Sequence, residues 1–197
     1  MGTSEQRQKV HKVHMVKDRF PQTVTLNGVQ YTFRLMTAAD RDAILTFTQS
    51  LSDGDVLFMR RDVTQPDAVD AWIGDIEAGR AITILIEDKN RLVAYGSVYY
   101  NQLFWSRHLA ELRILVSSAY RNRGLGTRLS RELIALAREL ELEKVTCYMA
   151  IEDRCARAVV EDLGFRPEAV LADWVKTRDG RTHDLVIMSA PLSGMEW

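Results

Sequence analysis

A glycine- and arginine-rich segment, AYRNRGLGTRLSREL, occupies positions 119–133 and separates an apolar run from a helical pattern. Glycines at such a junction let the backbone turn tightly, so that its N–H groups converge where the following helix begins. The helix dipole adds about half a positive charge at the same place. Side-chain donors come from Arg121, Asn122, Arg123 and Thr127. Since arginine binds phosphate oxygens in pairs, the segment favours a phosphate ligand.

Two common phosphate-binding loops do not match this segment. A Walker A loop ends in Gly-Lys-Ser/Thr, whereas Gly126 is followed by Thr127 and Arg128. A dinucleotide-binding fingerprint lies near the start of an α/β series, whereas this segment comes late in the chain. For the segment alone, a solvated turn shaped by Gly124 and Gly126 is an equally good interpretation.

The elements before the segment are indicated by turn residues and by hydrophobic periodicity. Alternating residues on both sides of Asn27-Gly28 predict a hairpin, because both residues tolerate the positive φ of a type I′ turn. Thr37 is placed to cap a helix over about 38–51, and Pro66 begins a second helix that Gly79 ends. The runs AITILIE, RLVAYGSVYY and HLAELRILV then predict an antiparallel meander.

The elements after the segment complete the predicted fold. A helix with leucines on one face leads from the segment to the strand KVTCYMA, and this strand-loop-helix-strand order predicts a parallel strand pair. A short helix is expected over 154–163, followed by two strands joined at Asp179-Gly180.

Composition excludes several classes of function. The chain has 197 residues, of which 46% are hydrophobic, and its formal net charge of -1 gives no general support for nucleic-acid binding. Cys147 and Cys155 lack the spacing of a zinc site or of a disulfide framework, so we expect no metal and a reducing, cytoplasmic location. No apolar run approaches a membrane span, so no membrane partner is expected. Basic residues dominate 1–20, which predicts a loosely ordered arm before a single domain over 21–197.

Several parts of the sequence together resemble the GNAT superfamily of acetyl-coenzyme-A-dependent N-acyltransferases. Residues 121–126, RNRGLG, match the family signature [Q/R]-x-x-G-x-[G/A], and CARAVVEDLGF is similar to the family segment that ends in leucine-glycine-phenylalanine. The element order from Tyr31 to Met188 is also similar to that of the family. The resemblance implies an α+β (α/β) fold: a mixed, mostly antiparallel central sheet of about seven strands, flanked by helices, with a parallel pair at the coenzyme site.

The resemblance also implies where acetyl-CoA binds. In this family the amides of the signature hold the coenzyme pyrophosphate, and the pantetheine arm pairs with the preceding strand. Asp153 replaces the asparagine with which the family opens its short helix, and we assign it to the same site. The cofactor-binding residues expected on this basis are Ile114, Val116, Arg121, Asn122, Arg123, Gly124, Leu125, Gly126, Thr127 and Asp153.

Catalysis requires a group that accepts the proton of the attacking amine and a donor for the developing oxyanion. Glu111 is our candidate base, because many family members place a glutamate on this strand. An ion pair with Arg113 is an equally good interpretation of Glu111. His108 is a weaker candidate. By family analogy, the amide of Val116 serves as the oxyanion donor.

The general acid of the family is missing from its usual position. Val160 stands where the family commonly has a tyrosine that protonates the departing thiolate. Tyr148 is our candidate for this role, with Cys147 or water as alternatives, and a thiolate can also leave without assistance. The ordinary interpretation of Tyr148 and Cys147 is packing.

We therefore expect an N-acetyltransferase that transfers an acetyl group to a primary amine by direct attack in a ternary complex. The acceptor is a small-molecule or peptide amine, and a homodimer is left open. Met59, Arg60 and Arg61 are suited to an acidic acceptor, and Tyr99 and Trp174 to shaping its pocket, but surface charge or core packing explains each of them equally well. The alternative function is a non-catalytic acyl-CoA sensor, which the replacement by Val160 favours.

Overall fold

The computed structural model describes residues 18–57, 59–101 and 105–194. Its strands are β1 (Gln22–Leu26), β2 (Val29–Leu35), β3 (Ala81–Asp88), β4 (Arg91–Tyr100), β5 (Leu109–Val116), β6 (Lys144–Ala150), β7 (Arg166–Lys176) and β8 (Thr182–Pro191). Its α-helices are α1 (Arg41–Gln49), α2 (Asp53–Val56), α3 (Pro66–Glu77), α4 (Leu125–Glu139) and α5 (Arg154–Asp162). Short 3-10 helices cover Ala38–Asp40 and Ser118–Tyr120.

The strands form one eight-stranded sheet in the order β1-β2-β3-β4-β5-β6-β8-β7. Every neighbouring pair is antiparallel except β5 and β6, which are parallel. The expected α+β fold with a mostly antiparallel sheet and one parallel pair is confirmed, and the sheet has eight strands rather than about seven.

Local sequence signals account for the turns and for one difference from the predicted helices. Asn27 and Gly28 have φ values of 51° and 79°, as the predicted type I′ hairpin requires. The helix predicted over about 38–51 is shorter and begins as a 3-10 turn over Ala38–Asp40. The Asp40 carboxylate accepts the Thr37 backbone N–H at 2.8 Å and pairs with Arg34 at 2.7 Å, and these bonds hold the tighter first turn.

Hydrophobic residues cover both faces of the sheet. On one face, α4 and α5 pack on the sheet through residues such as Leu129, Leu133 and Val160. On the other face, α1 and α3 pack on it through Ile44 and Trp72. The central strands are therefore buried on both sides, and their side chains alternate between the two layers.

The contact of α4 with β4 depends on the absence of a side chain at Gly96. A Cβ atom there would lie 2.8 Å from Cδ1 of Leu133 and 2.9 Å from Cγ of Leu129. We expect Gly96→Ala to lower the free energy of unfolding by about 1–3 kcal/mol, because the core would be overpacked. Denaturant unfolding measures this change.

Gly74 provides the control for this substitution. It lies inside α3, and a Cβ atom there would meet nothing within 4 Å. Because glycine in a helix costs about 0.5–1 kcal/mol relative to alanine, Gly74→Ala should leave the stability unchanged or raise it. Equal effects of the two substitutions would contradict the close packing of α4 on β4.

The predicted N-terminal arm over 1–20 falls mainly outside the described residues, which begin at Asp18. Arg19 is paired with Glu132 at 3.0 Å and also with Glu139, so the start of the described chain lies against α4. The division into an arm and a domain over 21–197 stays a prediction.

Candidate functional site

Strands β5 and β6 separate part of the way along the sheet. Their parallel pairing covers only Leu109 to Glu111 on β5, and it ends where Glu111 faces Thr146. On its other edge, β5 is paired with β4 as far as Val116. The part of β5 after Glu111 therefore has one edge that β6 does not cover, and this part contains Ile114 and Val116.

The glycine-rich segment connects the end of β5 to the start of α4. Asn122 and Gly124 have φ values of 60° and 82°, so both turn the chain through left-handed conformations. Gly124 is the N-cap of α4 and gives no side-chain cap, and its carbonyl accepts the N–H of Arg128 at 3.0 Å. Because Gly124 has no side chain, it cannot cap the N–H groups of the first turn, which are those of Leu125, Gly126 and Thr127.

The side chains of this segment have different surroundings. Leu125 is 1% exposed and belongs to the core, so only its main chain is available to a ligand. A Cβ atom at Gly126 would meet nothing within 4 Å, which means that open space lies beside this residue. Arg123 donates to the Ala119 carbonyl at 2.9 Å and lies over the Tyr120 ring.

Arg121 connects the segment to two other parts of the site. Its guanidinium is paired with Asp55 of α2, and its Nε donates to the Val116 carbonyl at 3.3 Å. Val116 is one of the residues that the resemblance assigns to the coenzyme arm. Arg121 therefore covers part of the open edge of β5 and also holds α2 against it.

Glu111 lies where β5 and β6 part. Its Oε1 accepts the Nε–H of Arg113 at 2.8 Å, and its Oε2 lies 3.8 Å from the guanidinium of Arg60. The ion pair with Arg113 that the sequence left open is therefore present. Because the Arg60 contact is longer than a hydrogen bond, Oε2 is the oxygen better placed to accept a further proton donor.

Tyr148 faces the same layer as Glu111. The Arg113 guanidinium bonds Glu111 and lies 4.7 Å from the centre of the Tyr148 ring, so Arg113 joins the two candidate catalytic residues. Tyr148 is half-buried. The structure thus brings Glu111 and Tyr148 to one side of the sheet, where β5 and β6 separate.

The alternative prediction, that Cys147 gives a proton to the departing thiolate, is wrong. The Cys147 side chain packs in the core beneath α4, on the opposite face of the sheet from Tyr148. Burial raises the pKa of its thiol to about 12. Val160 is also buried in that core and has no proton to give.

Asp153 has a structural contact at the start of α5. As the N-cap residue, its carboxylate accepts the backbone N–H of Ala156 at 3.0 Å. A carboxylate at this position stabilises the helix because it satisfies an open N–H group and complements the helix dipole. One oxygen of Asp153 is therefore already bonded within the chain.

A cavity lies on the same face as Glu111, between β4, β5, α3 and the loop before α3. Its walls are formed by Met59, Arg60, Arg61, Val63, Trp72, Tyr95, Tyr99 and Arg113. The loop residues and Tyr99 that the sequence assigned to an acceptor pocket therefore do surround one cavity. Burial raises the pKa of Tyr99 to about 12, so its hydroxyl stays protonated at neutral pH.

Trp174 does not line this cavity. It is 67% exposed on the edge strand β7, and its part in an acceptor pocket stays a prediction. The tryptophan that does line the cavity is Trp72, whose indole N–H donates to the Thr83 hydroxyl at 3.1 Å. Trp72 lies on the buried face of α3, and no sequence pattern marked it as a cavity residue. Arg113 was expected only as an ion-pair partner of Glu111, although residues two apart on a strand share a face and this spacing also places Arg113 beside the site.

The β7–β8 turn contacts the loop between α1 and α3, which contributes several residues to the cavity wall. Arg178 in this turn donates to Asp53 at 2.8 Å and to Asp62 at 3.0 Å. Ion pairs therefore hold the loop between α1 and α3: Asp55 pairs with Arg121 of the glycine-rich segment, and Asp53 pairs with Arg178 of the final hairpin.

In residues 18–57, 59–101 and 105–194, no three side chains of His, Cys, Asp or Glu come together as a metal site. Over the same ranges, none of the helices has the length and apolar character of a membrane span.

Three solved structures share this fold at low sequence identity. The Brucella melitensis ribosomal-protein-alanine N-acetyltransferase is 23% identical, with a TM-score of 0.70 over 81% of this chain and 98% of its own. The Vibrio cholerae spermidine N-acetyltransferase, in complex with CoA and spermine, is 18% identical, with a TM-score of 0.69 over 83% and 96%. The Salmonella typhimurium protein yncA with its cofactor acetyl-CoA is 20% identical, with a TM-score of 0.68 over 83% and 95%.

At identities this low, the similarity to these structures shows a shared fold and not a shared substrate. Among curated protein sequences, none matches the chain. The acetyltransferase (GNAT) domain profile, in contrast, matches residues 30–166, which include the open strand edge, the glycine-rich segment and α5. Since this match spans more than half of the sequence, the chain belongs to the GNAT acetyltransferase family.

Proposed function

We propose that this acetyltransferase binds acetyl-CoA in the opening between β5 and β6 and transfers the acetyl group to a primary amine by direct attack in a ternary complex. The observation that carries the proposal is the uncovered edge of β5, which runs from Glu111 at one end to the glycine-rich segment at the other. CoA and acetyl-CoA are present in two of the structures with the same fold.

The residues present fit the coenzyme. The open space beside Gly126 and the uncapped first turn of α4 suit a pyrophosphate, which hydrogen bonds from N–H groups and the helix dipole would hold. The main chain of Ile114 and Val116 would pair with the pantetheine arm, as a strand pairs with an open sheet edge. The phosphates would be held by Arg121, Asn122, Arg123, Gly124, Leu125, Gly126 and Thr127, and Asp153 would contact the coenzyme from the start of α5.

Glu111 is proposed to act as the base. Arg113 fixes one of its oxygens, and the other oxygen is left to accept the proton that the amine loses as its nitrogen bonds the acetyl carbon. Val116 lies five residues after Glu111, about 16 Å along an extended strand, so its N–H and Glu111 cannot both contact one acetyl group. The donor to the acetyl oxygen, as negative charge develops there, is therefore proposed to be a backbone N–H on the open edge of β5 nearer to Glu111. When the carbon–sulfur bond breaks, the thiolate takes a proton from Tyr148 or from water.

The first experiment is thermal unfolding with and without acetyl-CoA, with NAD and ATP as controls. A ligand at a hundredfold its dissociation constant stabilises the folded state by about 2.7 kcal/mol, so acetyl-CoA alone should raise the melting temperature. Turnover is then measured with a panel of amines by detecting the free thiol of CoA. Binding without turnover for every amine would favour the acyl-CoA sensor, and no binding at millimolar acetyl-CoA would contradict both functions.

The contact between Arg121 and Asp55 provides a test of the phosphate site. If the coenzyme phosphates attract Arg121, they compete with Asp55 for the same guanidinium. We expect Asp55→Asn to tighten acetyl-CoA binding by up to about fivefold, because an ion pair at the surface, here with a half-exposed arginine, is worth about 0.2–1 kcal/mol. Calorimetric titration with acetyl-CoA measures the dissociation constant.

Asp53→Asn is the matched control for this test. Asp53 lies on the same short helix but pairs with Arg178 rather than with Arg121. Its substitution removes the same charge and should leave the affinity for acetyl-CoA unchanged. The same change in both variants would mean that net charge, and not Arg121, controls binding.

A further inference from the structure

The cavity beside Glu111 carries more positive than negative charge. Three guanidinium groups line it, those of Arg60, Arg61 and Arg113. Two carboxylates lie against them, because Arg61 pairs with Asp75 at 2.7 Å and Arg113 bonds Glu111 at 2.8 Å. Asp75 also pairs with Arg80 at 2.8 Å, so its charge is shared between two arginines.

Arg60 differs from the other two arginines. Its guanidinium lies 4.6 Å from the centre of the Tyr99 ring and 3.8 Å from Oε2 of Glu111. Among the described ranges 18–57, 59–101 and 105–194, it makes no hydrogen bond, and 45% of its side chain is exposed. Arg60 therefore lies at the wall of the cavity and is held over an aromatic ring. The N–H groups of its planar guanidinium are available to a ligand.

From this arrangement we infer that the acceptor is an amine that carries a carboxylate a few bonds from its nitrogen, as in an amino acid. The inference rests on the proposed function, in which the amine nitrogen lies at Oε2 of Glu111. Arg60 binds the carboxylate in a bidentate manner, which leaves the amine close enough to reach Glu111.

The same geometry disfavours other acceptors. A polyamine would bring a second ammonium group close to Arg60, where like charges repel each other. An amine without an acidic group would leave Arg60 without a bonded anion in a cavity whose other walls include Val63, Trp72 and Tyr95. The enclosed part of the cavity has room for little more than one water molecule, so the carboxylate and the amine would lie at its mouth, beside Arg60 and Glu111, and the rest of the acceptor would lie outside it.

The experiment compares pairs of acceptors that differ only in the carboxylate. Phenylalanine is paired with phenethylamine and methionine with 3-(methylthio)propylamine, and spermine is added as a polycation. We expect kcat/KM to be at least about tenfold higher for the acid of each pair. Arg60→Met should lower kcat/KM for the acids by about 10- to 100-fold, as the loss of a charge-assisted hydrogen bond does, and change the values for the plain amines less than threefold.

Two further variants sharpen the comparison. Arg60→Lys keeps the charge but loses the planar pair of donors, so its effect on the acids should be intermediate. Arg181→Met is the matched control, since Arg181 is exposed in the β7–β8 turn and pairs with Asp179 at 2.8 Å. It should leave the ratio between the acid and the amine of each pair unchanged.

The outcomes separate this inference from the proposed function. A wild-type enzyme that turns over the plain amines or spermine better than the acids would overturn the inference and leave the acetyltransferase function intact. Where turnover is too slow to measure, the affinity of N-acetylphenylalanine in the presence of CoA is compared between the wild type and Arg60→Met. Equal affinity, or no binding of the acid by the wild type at millimolar concentration, would also overturn it.

Discussion

Glu111→Gln is expected to lower kcat by about 100- to 10,000-fold while leaving the affinity for acetyl-CoA unchanged. This range is typical of the loss of a positioned acid or base. The glutamine carbonyl can still accept the Arg113 hydrogen bond, so the local structure should be kept, but the side chain cannot take the proton of the amine. The measurement combines thiol release with a calorimetric titration of acetyl-CoA.

Glu161→Gln is the control for this variant. Glu161 pairs with Arg157 at 3.0 Å on α5, and 40% of its side chain is exposed. Its substitution should change neither turnover nor binding. Unchanged turnover in Glu111→Gln would mean that Glu111 is not the base and that it has only a structural role, as the partner of Arg113.

Gly126→Trp is expected to abolish acetyl-CoA binding without unfolding the protein. The backbone of Gly126 has no left-handed φ, and an added Cβ atom would meet nothing within 4 Å, so a larger side chain can be accommodated by the fold. The indole would instead occupy the open space beside the first turn of α4, where the pyrophosphate is proposed to bind. The stabilisation of about 2.7 kcal/mol expected at a hundredfold the dissociation constant should disappear.

Gly74→Trp provides the comparison for Gly126→Trp. Gly74 is also a helical glycine with open space around its Cβ position, but it lies on α3, away from the glycine-rich segment. This variant should keep the full response to acetyl-CoA. If Gly126→Trp bound acetyl-CoA with wild-type affinity, the phosphate would have to lie elsewhere.

Much of the fold could be predicted because its turns depend on a few local residues. Asn27-Gly28 specifies a hairpin, and Gly124 specifies the left-handed residue before α4. The parallel pair follows from the strand-loop-helix-strand order alone. The start of the first helix could not be predicted as well, because it depends on the ion pair between Arg34 and Asp40, two residues on different elements.

The side chains of the site were harder to predict than the backbone. Alternation along KVTCYMA places Cys147 and Tyr148 on opposite faces, but only the register of Glu111 with Thr146 decides which of them shares a face with Glu111. Trp174 lies within the register shift between Leu171 and Val175, so alternation along β7 does not determine its environment. Local patterns contain neither of these facts, because both depend on pairing between strands.

The short contact between β5 and β6 gives the sheet an internal edge. An unpaired strand edge is normally found at the outside of a sheet, where charged side chains, bulges or covering loops prevent it from pairing with other chains. Here such an edge lies on a central strand, and Arg121 covers the Val116 carbonyl while Asp55 holds Arg121 in place. An unpaired strand edge at the outside of a sheet promotes aggregation. In this protein such an edge lies in the middle of the sheet, where Arg121 partly covers it.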